Sequence, residues 1–304
     1  MAPERFTKGL VSIVIPTFNQ ADYLIDALAC VQRQTFVNWE AIVVNNYSND
    51  NTISTVESFN DRRIQLINFA NDGIIARSRN LAMNNARGEF IAFLDSDDLW
   101  KEEKLAQCVD VLERGADLVC HAERWFGGGA ADRIVKYGPS GSASYEALLT
   151  KGNCISTSAT VVRHTVIDAV GGFRDNPDFV TTEDYDLWLR IAKRGHRIEF
   201  IEETLGSFRR HTSSASSSTL RHLHAELAVL DDHFADAPEA LRLKARQRRA
   251  FAYYAAARGF TKNADLANGL RMFGTSLRLN PFLLRAWVGL IVHLMFVPMR
   301  LRRT

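Results

Sequence analysis

The chain reads as an α/β protein with a Rossmann-like, mostly parallel central sheet and helices on both faces, followed by an all-helical region. Three observations carry that reading. Short apolar runs alternate four times with helix-length periodic segments through residue 114. One of those runs feeds directly into a cluster of carboxylates at Asp95, Asp97 and Asp98. Beyond a serine-rich stretch at 213–219 the periodicity is helical to the end.

Taken in order, residues 11–16, 39–45, 64–68 and 90–94 are short, largely apolar runs read as strands, and 90–94 has the pattern of a strand covered on both faces. Between them, residues 22–34, 52–59 and 74–86 have helical spacing, and 102–114 continue the series. Parallel strands need such crossovers, and their carboxyl ends form the binding crevice of an open α/β sheet. Residues 118–121 add a strand. Residues 127–141, with Gly127, Gly128, Gly129 and Pro139, read as a loop long enough to be a lid or an acceptor-side flap. Strands at 158–163 and 197–201 around a helix at 184–194 complete one domain, predicted to cover residues 1–212. Residues 213–219 are the expected linker, and 220–304 the helical region, punctuated by Pro238, Gly259 and Pro281. Residues 250–280 look like a helical hairpin of tetratricopeptide character, in a single copy. Residues 286–299 are apolar apart from His293 and precede Arg300, Arg302 and Arg303. That run is too short to span a bilayer, which leaves a core helix or an interfacial anchor.

With 46% hydrophobic and 24% charged residues among 304, the composition is that of a globular protein and excludes disorder as the main state. The net charge of +2 hides an asymmetry: residues 1–218 carry 23 basic and 29 acidic residues, and 219–304 carry 14 and 6. An acidic front and a basic tail imply different partners, and nucleic acid is not expected among them. Cys30, Cys108, Cys120 and Cys154 form no close pair, so buried free thiols in a reducing compartment are expected, with no cysteine metal site. The first ten residues lack the apolar core of a signal peptide, which points to a cytoplasmic location.

Asp95 and Asp97 flank one residue, so in an extended segment both carboxylates face the same way and can share a hard divalent ion. The plainer alternative makes Asp95 the cap of a helix starting near Leu99, with Asp97 and Asp98 as solvated first-turn acids. Four further segments accompany this cluster: the opening strand running into Pro16-Thr17-Phe18-Asn19; Asn45-Asn46-Tyr47-Ser48-Asn49-Asp50 after the second strand; Arg79-Asn80; and Thr182-Glu183-Asp184-Tyr185-Asp186-Leu187-Trp188. In that order and context the chain resembles the family 2 glycosyltransferases of the GT-A fold over residues 9–212.

The resemblance implies a metal-dependent, inverting transfer of a sugar from a nucleoside-diphosphate sugar, UDP favoured, to a glycan or lipid-linked acceptor in cell-surface polysaccharide or lipopolysaccharide synthesis. Mn2+ or Mg2+ is then expected on Asp97, aided by Asp95 and by His211 of Arg209-Arg210-His211. Pro16, Thr17, Asn19, Asn45, Asp72, Arg79, Asp95, Ser96, Glu183 and His211 are expected around the donor. Asp184 is the expected catalytic base, with Glu183 orienting or contacting the acceptor. Asn45 departs from the family pattern, which places an aspartate there; an amide still donates and accepts, but brings no charge to the nucleobase. Arg77 and Arg79 lie two residues apart on a helix and cannot share a face, so at most one enters the site; the resemblance points to Arg79, which leaves Arg77 as a surface cation. The helical tail is expected to pack on the protein or to make peripheral contact with the cytoplasmic face of the membrane.

Three other readings are weaker. A haloacid-dehalogenase phosphatase wants Gly where Asp98 stands and its motif on the first strand. A sugar nucleotidyltransferase wants a Gly-rich, basic loop after that strand. A silent nucleotide-binding scaffold has Asn45 as its only support.

Overall fold

The computed structural model describes residues 6–129, 131–211 and 218–301. In chain order the elements are β1 (Thr7–Thr17), α1 (Ala21–Gln32), β2 (Trp39–Asn45), α2 (Thr52–Ser58), β3 (Ile64–Asn68), α3 (Ile75–Asn85), β4 (Gly88–Phe93), β5 (Leu99–Trp100), α4 (Lys104–Glu113), β6 (Leu118–Gly127) and β7 (Arg133–Val135). They continue as α5 (Tyr145–Lys151), β8 (Thr160–Arg163), α6 (His164–Val170), α7 (Glu183–Lys193), β9 (Ile198–Arg210), α8 (Thr219–Ala235), α9 (Glu239–Arg242), α10 (Ala245–Lys262), α11 (Leu266–Leu279) and α12 (Leu284–Leu301). Two compact units result. One comprises Met1–Tyr145, Cys154–Pro177 and Glu183–Thr212; the other comprises Glu146–Asn153, Asp178–Thr182 and Ser213–Thr304.

The first unit is built on a sheet in the order β3-β2-β1-β4-β8-β6-β9-β5, with β7 paired on β6. The first four strands are parallel, as the repeated strand–helix pattern demands. Their register sets Thr17 beside Asn45 and Asn45 beside Asn68, so the predicted crevice residues line up at the strands' carboxyl ends. β8 then enters antiparallel to both β4 and β6, and β9 runs parallel to β6, which makes the sheet mixed on this side. Val11, Ile13, Ile15, Val43, Phe90 and Leu94 join Leu24, Leu28 and Leu105 from the helices in one core. Gln34 ties two helices together there: its amide nitrogen donates to the Lys101 carbonyl (2.7 Å) and its oxygen accepts from the Leu105 amide (3.0 Å).

Several expectations change. Leu99 and Trp100 form a strand paired with β9 instead of opening a helix, and α4 begins at Lys104. The predicted loop at 127–141 contains β7, and the strand expected at 118–121 runs on to Gly127 because β9 pairs with it along its whole length. The short helices α5 and α6 carried too few periodic positions to be predicted. All four cysteines are free, and burial pushes the Cys30 and Cys108 thiols up to about 11, which leaves them unreactive.

In the second unit, Leu223, Ala252, Ala257, Met272 and Phe273 form a separate core. Gly259 does not break α10. A Cβ there would lie 2.9 Å from Thr219 Cγ2, so glycine permits the close approach of α8. The α10–α11 hairpin is closed by Ser276 Oγ donating to the Ala250 carbonyl at 2.7 Å. Of the predicted linker at 213–219, residues 213–217 lie outside the described residues. Among the described residues no helix is long and apolar enough to cross a membrane.

Candidate active site

The carboxylate cluster follows β4 not as an extended segment but as a turn, closed by the Asp98 amide donating to the Asp95 carbonyl at 3.0 Å. The turn divides the work of the two aspartates. Asp95 Oδ1 accepts from Arg79 Nη2 at 2.7 Å, while Asp97 Oδ2 lies 2.8 Å from His211 Nε2 and 3.4 Å from Gln20 Nε2. Neither aspartate caps a helix. Ser96, buried beneath them, donates to Gln20 Oε1 at 2.5 Å. The loop is fixed from below by the Asp95 amide donating to Ser158 Oγ (3.1 Å) and from the side by the Arg209 amide donating to Asp98 Oδ1 (2.9 Å). Arg209 Nε also donates to the Asp97 carbonyl at 3.0 Å. This bonding at the end of β9 carries His211 to Asp97, where its ring also packs on Tyr23 with centroids 5.0 Å apart.

Arg79 makes the decisive connection. Its guanidinium is buried in α3 and donates to Asp95 through Nη2 and to Glu183 Oε1 through Nη1, at 2.7 and 2.6 Å. Burial alone disfavours its charge, but Asp95 and Glu183 outweigh this and raise its pKa. Two acidic segments 88 residues apart in sequence are thereby placed on either side of one planar group. Asp184 follows Glu183 in the first turn of α7, where its Oδ1 accepts from the Tyr185 amide (2.7 Å) and its Oδ2 from Thr157 Oγ1 (2.9 Å). Burial, then the Glu183 charge, push the Asp184 carboxyl up to about 6, against the pull of Arg79.

The crevice residues of β1 and β2 hold one another. Asn19, in a left-handed conformation, donates its amide to Ser48 Oγ (2.8 Å) and accepts from the Asn49 amide (2.9 Å), and it does not cap α1. Thr17 follows Pro16 at the end of β1; it is buried, and its hydroxyl has no hydrogen-bond partner among the described residues. Asn45 is fully buried, donating to Asn68 Oδ1 at 2.8 Å and accepting from the Ser48 amide at 3.0 Å. Its amide is thus a tie between strand ends, a use its place in the sequence did not suggest. Asp72 sits on an exposed turn and pairs with Arg77, which also pairs with Asp175. Among the contacts of the described residues, none joins Asp72 to the aspartate cluster.

Sequence reasoning did not single out Gln20, Thr157, Ser158 or Glu123. Glu123, on β6, is buried, accepts from the Tyr137 hydroxyl at 2.7 Å, and is pushed up to about 7 chiefly by burial. Thr157 and Ser158 lie in a stretch with no motif, and only tertiary folding brings them to the acids.

Asp97 Oδ2 and His211 Nε2, 2.8 Å apart, are a carboxylate oxygen and an imidazole nitrogen of the kind that suits a hard divalent cation, whereas Asp95 is turned to Arg79; burial plus the Asp95 charge raise the pKa of Asp97. An adjacent positive ion relieves that penalty.

A family model described as Glycosyl transferase family 2 matches residues 12–168. The UDP-Glc:alpha-D-GlcNAc-diphosphoundecaprenol beta-1,3-glucosyltransferase WfgD of Escherichia coli is 32% identical over 227 residues, 73% of this chain and 86% of that protein. The enzyme of the same description named WfaP, also from Escherichia coli, is 27% identical over 84% of this chain and 95% of its own length. Among solved structures, Staphylococcus aureus TarS 1-349 in complex with UDP-GlcNAc superposes with a TM-score of 0.67 at 17% identity, covering 96% of this chain and 91% of that one. The mannosyltransferase PcManGT of Pyrobaculum calidifontis, in complex with GDP-Man and Mn2+, gives 0.63 at 17% identity, over 97% and 87%. The sheet order, the strand-end crevice and these similarities converge on one statement: the chain has the GT-A fold, is a glycosyltransferase, and belongs to glycosyl transferase family 2.

Proposed function

We propose that this glycosyltransferase moves a sugar, with inversion, from a UDP-sugar to a hydroxyl of a lipid-linked or growing glycan in cell-surface polysaccharide synthesis, at the cytoplasmic face of the membrane. The observation that supports it most is the Arg79 bridge, which sets Asp95 and Glu183 against one guanidinium and so brings the two acid segments to one site. Relatives named as acting on a diphosphoundecaprenol-linked GlcNAc with UDP-glucose favour that donor and acceptor class.

Each side chain then has a task. Asp184 takes the acceptor proton as the new bond forms; its raised pKa, about 6, makes it a stronger base than an ordinary aspartate while leaving it ionised at neutral pH. Thr157 and the Tyr185 amide orient that carboxylate. Glu183, fixed by Arg79, borders the acceptor side. Thr17, Asn19 and the Asn45 tie shape the nucleoside end of the crevice. Asp97, Asp95 and His211 are the residues that would hold Mn2+ or Mg2+, which when bound supplies Lewis-acid stabilisation of the leaving diphosphate. Residues 1–212 are the proposed catalytic domain. The test is a donor panel of UDP-, GDP- and dTDP-sugars with manganese or magnesium and a diphosphoundecaprenol-linked GlcNAc acceptor, with product stereochemistry read by NMR. A β-linked product from an α-linked UDP-sugar is expected; a retained anomeric configuration, or no transfer from any donor, contradicts the reading.

A further inference from the structure

In α12, Leu284, Trp287, Val288, Ile291, Val292 and Met295 are 76, 47, 62, 52, 44 and 63% exposed, while Ala286 and His293 are buried. With each residue advancing by about 100°, those six side chains fall within an arc of about 140° on one side of the helix, opposite the two buried ones. Phe282, just before the helix, is 88% exposed. A soluble surface rarely leaves so many large apolar side chains in one stripe. The charge around them has one sign: from residue 266 to the end the sequence contains six arginines and no acidic residue. Arg271, Arg278 and Arg285 of that set are exposed.

We propose that this stripe is a membrane-binding surface whose partner is an anionic lipid bilayer. The apolar arc lies in the acyl boundary, Trp287 takes the interfacial level suited to an indole, and the arginines meet acidic headgroups. The helix lies on the membrane and does not cross it, in keeping with the absence, among the described residues, of any helix long and apolar enough to span. A second copy of the chain is a poorer occupant, because a two-fold pairing of this stripe would bring arginines of like charge together. The surface deepens the proposed use of a lipid-linked acceptor and rests on that reading for its purpose, but not for its physics.

Flotation of the full-length protein with vesicles, without donor or acceptor, tests it, so failure here leaves the glycosyl-transfer reading untouched. Wild type is expected to float with phosphatidylglycerol–phosphatidylcholine vesicles and far less with phosphatidylcholine alone. Trp287→Ser combined with Ile291→Ser should lower the partition about tenfold or more through lost apolar burial, and Arg278→Glu with Arg285→Glu should weaken binding in a salt-dependent way. Bromine-labelled acyl chains should quench emission in the wild type, with the quenched component missing in Trp287→Phe. Equal flotation of wild type and Trp287→Ser/Ile291→Ser, or equal binding to neutral and anionic vesicles, overturns the proposal. So does a change in light-scattering mass in the serine variant with vesicle binding intact, which assigns the stripe to self-association.

Discussion

At the scale of single residues, protonation of Asp184 governs what can be measured. Burial and the neighbouring Glu183 raise its pKa from the ordinary value to about 6, with Arg79, Thr157 and the Tyr185 amide pulling the other way. As the proposed base it acts only when ionised, so the rate at subsaturating acceptor should fall tenfold per pH unit below about 6. A pH–rate profile flat from pH 5 to 8 contradicts this. Stability moves in the opposite direction. Between the ordinary aspartate value and about 6 the folded chain keeps a proton that the unfolded chain has lost, so raising the pH through that window destabilises the fold. Asp184→Asn removes the buried charge and should gain ~1–2 kcal/mol at pH 8, a gain that vanishes toward pH 4, as urea unfolding can read.

At the scale of elements, one tight junction is where β4 starts against β1. A Cβ at Gly88 would meet the Leu10 carbonyl oxygen at 2.6 Å and the Ser12 amide at 2.7 Å, backbone atoms that cannot rotate away. Gly88→Ala should therefore cost about 2–4 kcal/mol in urea unfolding; a midpoint unchanged from wild type contradicts it. The parallel half of the sheet was legible in the sequence because its buried strands are mostly apolar and their helices are long enough to show a period. The mixed half was legible only in part, through the strands expected at 118–121, 158–163 and 197–201, where β6, β8 and β9 run. β5 is two residues long, β7 three, and the long strands β6 and β9 vary between buried and exposed along their length, so no single pattern marks their full extent. The site divides the same way. Asp95, Asp97, Glu183, Asp184, Arg79 and His211 stood out as chemistry-bearing residues, whereas Gln20, Thr157 and Ser158 are neutral side chains in loops, meaningful only through the hydrogen bonds the fold gives them.

At the scale of the whole chain, the helical unit is not simply appended after residue 212. Glu146–Asn153 and Asp178–Thr182 belong to it. Lys244 pairs with Glu146 at 2.7 Å, and Thr181 Oγ1 lies 3.1 Å from His222 Nδ1. The second of these segments runs directly into Glu183 and Asp184. A chain truncated after residue 212 should thus lose the partners of both segments. It should unfold at lower urea than the intact protein and lose activity beyond what dilution of folded enzyme explains. A truncated chain with full activity and an unchanged midpoint contradicts this.

In the proposed reaction two acid segments share one site, with Asp97 on the donor side and Asp184 on the acceptor side. The most direct test of this arrangement pairs two substitutions, Asp97→Asn and Asp184→Asn, and reads both UDP affinity in the presence of manganese by calorimetry and the rate of sugar transfer. Asp184→Asn should retain wild-type UDP affinity while losing about two to four orders of magnitude in rate, and Asp97→Asn should lose both. Near-normal transfer by Asp184→Asn, or metal-dependent UDP binding undisturbed in Asp97→Asn, would contradict it.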